Sequence, residues 1–154
     1  MDFTKRDLVR DCWLVNDGVM GGISQSGLRH DELGMYFEGR VSIQNNGGFG
    51  SMRSKARFSQ GTQQLELLAK GDAKRYKLIL RTKLAPRVTY ESDFVAEPNW
   101  QTYRFNSSQF KSTFRGRTVD SPPLSFSDVI ELGILIADNQ EGSFVLQLKT
   151  IQSG

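Results

Sequence analysis

The sequence predicts an all-β protein, a jelly-roll β-sandwich. Two segments, 35–44 and 75–83, alternate apolar and polar residues with a period of two, the mark of a half-buried strand. Glycine, asparagine and proline clusters recur between short apolar runs, and no segment sustains a helical period for three turns. With 154 residues and 38% hydrophobic composition the chain is long enough for one packed domain, expected over 1–154. Ten phenylalanines against one cysteine predict an aromatic core that does not depend on disulfides.

Residues 2–15 read as an entry segment that ends in a short strand, Trp13-Leu14-Val15. Asn16-Asp17-Gly18-Val19-Met20-Gly21-Gly22-Ile23-Ser24 follows, with an echo at Asn45-Asn46-Gly47-Gly48-Phe49-Gly50. Six of the 15 glycines fall in these two segments, which therefore read as shaped turns at one edge of the β structure. Ser24-Gln25-Ser26-Gly27 reads as a further bend. Met35, Phe37, Gly39, Val41 and Ile43 then share one strand face. Asn45-Asn46-Gly47-Gly48 has the chemistry of a hairpin turn, leading into a strand over 49–57 with Phe49, Ser51 and Arg53 on one side.

Further strands are expected at 65–69, 75–83, 88–95 and 100–105. In the second of these, Tyr76, Leu78, Leu80 and Thr82 face one way, and Arg75, Lys77, Ile79, Arg81 and Lys83 the other. The basic side suits either a solvated sheet face or a surface for an acidic partner. Residues 110–117 read as a loop. Ser127 offers a cap to a single helical turn, 132–137 a buried central strand, and 144–149 the closing strand.

The residues argue against most chemistry. His30, the single histidine, is expected in a polar loop, and Cys12 has no base beside it, so no nucleophile–base pair can be named. One histidine and one cysteine do not make a zinc site. Asp138, Asn139 and Glu141 lack the spacing of a calcium loop. Gly48-Phe49-Gly50 is followed by Arg53 and by no helix pattern, so the dinucleotide reading fails. Convergence of carboxylates such as Asp17, Glu66 and Asp72 would allow glycoside chemistry, but nothing in the sequence places them together. No metal, cofactor or catalytic activity is expected. A net charge of +3 is too modest for a dedicated nucleic-acid binder. The mixed-charge start has no apolar signal region, so a cytoplasmic location is expected.

Several blocks resemble the complex I intermediate-associated protein 30 family. Trp13 with Asn16 to Ser24 is similar to its opening signature, and Phe37-Glu38-Gly39 with Asn45 to Arg53 to its second block. Gly71-Asp72 with Tyr76 resembles the third, although Ala73 stands where the family usually has another glycine. Trp100, Phe110, Arg115-Gly116-Arg117 and Leu132-Gly133-Ile134 resemble later blocks. The resemblance implies a galactose-binding-like jelly roll. It also implies kinship with non-enzymatic factors that chaperone assembly intermediates of NADH:ubiquinone oxidoreductase, hence a protein partner such as respiratory-complex subunits. Plant proteins acting on chloroplast RNA also carry the domain.

The motif positions it offers as binding residues are Asp17, Met20, Asn46, Phe49, Arg53, Asp72, Tyr76, Arg115 and Arg117. Asp17 and Asp72 are expected to pair with Arg53 or Arg115, and Trp100 and Tyr76 to be exposed anchors. Two other readings stay open. A carbohydrate or small-ligand module would need an exposed row of tryptophan and tyrosine, and single-stranded RNA binding would use the basic face of 75–83.

Overall fold

The computed structural model describes residues 1–16, 25–44, 48–138 and 140–154. A short helix, α1 (Arg6–Arg10), precedes β1 (Trp13–Asn16), β2 (Gln25–Asp31), β3 (Gly34–Val41) and β4 (Gly50–Lys55). The middle of the chain supplies β5 (Gln64–Lys70), β6 (Arg75–Thr82), β7 (Thr89–Val95) and β8 (Gln101–Asn106). Then come β9 (Lys111–Phe114), β10 (Arg117–Thr118), β11 (Val129–Ile136) and β12 (Gly142–Ser153).

These strands form two antiparallel sheets, a seven-stranded one in the order β1-β4-β11-β6-β7-β9-β10 and a five-stranded one in the order β2-β3-β12-β5-β8. The period-two pattern decides which side faces inward. Met35, Phe37 and Val41 of β3 and Leu65, Leu67 and Ala69 of β5 meet Tyr76, Leu78 and Leu80 of β6 and Leu132, Ile134 and Ile136 of β11 in one core. Phenylalanine fills it as the composition predicts. Tyr76, Phe94, Phe105, Phe110 and Phe126 form a continuous aromatic run, with successive ring centroids 5.9–6.0 Å apart.

Several expectations are corrected. The hairpin expected at Asn45-Asn46-Gly47-Gly48, whose first three residues lie outside those described, does not join paired strands. β3 belongs to the five-stranded sheet and β4 to the seven-stranded one, so the connection crosses between layers. The first glycine segment likewise runs from β1 in one sheet to β2 in the other. The strand ends that flank the two segments lie at the same edge, since Asn16 pairs with Gly50 and Gln25 with Arg40. The bend expected at 24–27, whose first residue lies outside those described, gives way over 25–27 to β2, which also carries His30; its ring Nε2 lies 2.8 Å from the carbonyl oxygen of Thr4. Residues 110–117 contain the β9–β10 hairpin instead of a loop. Arg115 (φ 50°) and Gly116 (φ 79°) are both left-handed, the backbone a two-residue hairpin turn needs.

Ala73 is also left-handed, with φ 66°, and its N–H donates to the carbonyl of Ala96. A side chain in that region costs about 1–2 kcal/mol, while glycine adds about 0.5–1 kcal/mol of chain entropy. Ala73→Gly is therefore expected to stabilise the protein by about 0.5–1 kcal/mol, read as a rise in the midpoint of chemical denaturation. A fall in the midpoint would mean that the turn tolerates the methyl group without strain.

Candidate functional site

The outer face of the seven-stranded sheet is built by residues at alternate positions of its central strands. Ser51, Arg53 and Lys55 of β4 point outward beside Glu131, Gly133 and Leu135 of β11 and Arg75, Lys77, Ile79 and Arg81 of β6. The register sets two rows, Trp13–Arg53–Gly133–Ile79 and Lys55–Glu131–Arg81. Gly133 is required here. A Cβ at this position would stand 2.5 Å from the carbonyl oxygen of Met52 and 3.2 Å from Cγ of Arg53. Arg53 folds into the space the glycine leaves, and its side chain is only 15% exposed.

Two clusters of charge share this face. On the β6–β7 side, the ammonium of Lys77 lies 2.7 Å from Asp93, 3.5 Å from Asp138 and 3.9 Å from Glu91. Burial works against its charge, but these carboxylates outweigh it and hold the amine above its ordinary pKa. On the β4–β11 side, Arg53 Nη1 and Arg81 Nε each lie 3.5 Å from the same oxygen of Glu131. Burial, and then the neighbouring Arg81, lower the pKa of Arg53 against the pull of Glu131.

Asp72 lies elsewhere, where the chain passes from β5 to β6. Its carboxylate accepts bonds from the Tyr76 hydroxyl (3.0 and 3.1 Å), the Val145 N–H (2.9 Å) and the Lys74 N–H (3.2 Å). The expected pairing of Asp72 with Arg53 or Arg115 is therefore replaced by one with Tyr76 and Lys74, whose ammonium lies 3.6 Å away. Tyr76 is not an exposed anchor but wholly buried, because inward positions of β6 face the core. A shallow depression of about 440 Å³ opens beside Asp72 and Lys74, floored by Phe144 and Val145.

The remaining expected binding residues are scattered. Arg115 and Arg117 are exposed at the β10 edge, five strands from Arg53 in the sheet order, where Arg115 lies over the Phe114 ring. Phe49 is half-buried just before β4. Asp17, Met20 and Asn46 lie outside the described residues. Trp100 is half-buried, with the Lys149 ammonium 5.6 Å from its ring centroid.

The catalytic options narrow further. Glu66 sits within β5 against Arg104, whereas Asp72 lies beyond the end of that strand. Burial raises the Cys12 thiol to about 11, and its Sγ is spent on the carbonyl of Leu8. Among the described residues no group of three or more histidine, cysteine or acidic side chains could hold a metal ion. Sequence reasoning missed Glu131, the residue that links Arg53 to Arg81. Its signal was faint, a lone acid before an apolar run, and only the strand order shows what it meets.

The family model for complex I intermediate-associated protein 30 matches residues 1–148. The chain belongs to this family. No curated protein matches it in sequence. Among solved structures, a family 11 carbohydrate-binding module from Clostridium thermocellum, in complex with a β-1,3-1,4-mixed-linked tetrasaccharide, is similar at a TM-score of 0.63 and 12% identity. The alignment covers 100% of this chain and 94% of that one. The module of the cellulosomal cellulase Lic26A-Cel5E from the same organism gives 0.64 at 11% identity, again covering 100% and 94%. An agarase gives 0.63 at 11% identity, covering 100% of this chain and 26% of the agarase. At such identities the likeness establishes the jelly-roll fold alone. In this complex I intermediate-associated protein 30 domain, among the described residues, no helix is long and apolar enough to cross a membrane.

Proposed function

We propose that this domain is a non-enzymatic assembly factor that holds a protein partner, an assembly intermediate of NADH:ubiquinone oxidoreductase. The family match over residues 1–148 carries the reading. The charged outer face of the seven-stranded sheet supports it, because open sheet surfaces with half-buried arginine suit protein contacts better than enclosed chemistry. The basic residues of β6 and its end support RNA binding poorly, since Arg75, Lys77 and Lys83 each have a carboxylate partner within 4 Å.

The test is capture from native lysate on the tagged protein, at low and moderate salt, with mass-spectrometric identification. Near-stoichiometric recovery of respiratory-complex subunits is expected, lost on Arg53→Ala or Arg115→Ala with the fold intact. Recovery of no such subunit at either salt would overturn the reading.

One observation favours a carbohydrate ligand as the second reading. Trp13 is 37% exposed beside Arg53, an aromatic ring next to a hydrogen-bonding side chain. Against it, Tyr76 and Tyr90 are buried, so the described aromatic side chains form no exposed row on this face. Titration with a mixed-linked β-glucan tetrasaccharide, followed by tryptophan fluorescence, separates the two readings.

A further inference from the structure

The two clusters on the outer face of the seven-stranded sheet are unequally neutralised. Lys77 has three carboxylates within 4 Å, and the closest, Asp93, is at a full charge-assisted distance. Arg53 and Arg81 share Glu131, the one carboxylate within ion-pair distance of either among the described residues. Both contacts are 3.5 Å, well beyond the roughly 2.7–2.9 Å of a charge-assisted bond. Arg53 Nε turns instead to the Ser51 hydroxyl at 3.2 Å, and one Arg81 terminal nitrogen to the carbonyl of Pro86 at 3.3 Å. The buried Nε of Arg81 makes no hydrogen bond, its contact with Glu131 at 3.5 Å being an ion pair alone. A buried donor without a well-placed acceptor is costly, so its persistence calls for a reason. Lys55 stands next to Glu131 in the register and adds a third cation to this half of the face.

We infer that Arg53 and Arg81 form a recognition site for a carboxylate side chain on an acidic segment of a protein partner. The guanidinium fork matches a carboxylate, and an incoming one would add to the single, distant carboxylate that the two arginines share. Three features select a peptide over other anions. The face is open, so a small free dicarboxylate would keep most of its surface in water. Glu91, Asp93 and Asp138, gathered around Lys77, would repel the continuous charge of a nucleic acid. Trp13, exposed opposite Arg53, offers apolar contact to the residues that flank the acid. The choice of a peptide rests on the assembly-factor reading; the carboxylate preference rests on the arginines alone.

The test observes the arginine Nε–H signals of the ¹⁵N-labelled protein while an acetylated tetraglutamate peptide is added, at constant ionic strength. Tetraglutamine and inorganic phosphate serve as comparison probes. The Arg53 and Arg81 signals are expected to move saturably with tetraglutamate and to stay in place with tetraglutamine. E131Q removes the competing internal carboxylate and is expected to tighten binding several-fold, whereas R81K keeps the charge, loses the fork and weakens it. Unmoved signals at millimolar peptide, equal response to phosphate, or no tightening in E131Q would overturn the inference. The lysate capture fails or succeeds separately. Respiratory subunits still held by R81K, with no peptide response, would sink this site and leave the assembly role standing.

Discussion

Asp72→Ala is expected to lower stability by about 3 kcal/mol, or about 6–12 °C in Tm for a chain of this size. The carboxylate ties three elements together. It follows β5, accepts the hydroxyl of Tyr76 on β6 and accepts the N–H of Val145 on β12. β5 and β12 belong to one sheet and β6 to the other, so the bonds join the layers at one end of the sandwich. Removal of the carboxylate leaves the hydroxyl of a side chain with 0% exposure without its acceptor. Bonds to a charged acceptor are also the stronger class, about 1.5–3 kcal/mol each.

A double-mutant cycle makes the mechanism testable. Tyr76→Phe removes the hydroxyl that Asp72→Ala would orphan, so the second change should cost distinctly less in the phenylalanine background. A coupling of more than about 0.5 kcal/mol is expected between side chains in direct contact. Strict additivity in chemical denaturation would show that Asp72 acts through its backbone bonds and not through Tyr76.

Gly133→Val is expected to cost about 3 kcal/mol, with a comparable fall in Tm. The first added carbon would meet the carbonyl oxygen of Met52 at 2.5 Å, and that atom belongs to the paired backbone of β4. It would also meet Arg53 Cγ and Ile79 Cδ1, both at 3.2 Å. The arginine can swing away but the strand cannot, so the β4–β11 pairing must open or shift. The functional consequence is separable from the stability loss. Arg53 is forced off the floor of the face, so its Nε–H signal should move even well below the unfolding transition. A variant of wild-type stability with an unchanged Arg53 signal would mean that the strands part without cost at this point.

How far the sequence reached depends on the range of the forces involved. Alternation within β3 and β6 is a local property, and it correctly assigned Met35, Phe37, Tyr76, Leu78 and Leu80 to one face each. Glycine-rich chemistry located an edge of the fold, because the residues flanking both segments lie at the β1–β4 and β2–β3 edge. The family signature was legible for the same reason, as a linear string of residues in a fixed order.

Pairing between distant strands is a different matter. Nothing local in Glu131 announces that it will lie between Arg53 and Arg81, since the three residues come from β11, β4 and β6 and meet only through strand order. Asp72 and Arg53 both bear motif charges, yet the sheets carry them to separate places, and Tyr76 turns from a candidate contact into core. The sequence by itself determined the strand faces, the aromatic core and the family, because these follow from neighbours along the chain. Only the tertiary structure decided which charges meet, because a sheet face is assembled from residues that are close in register and remote in sequence.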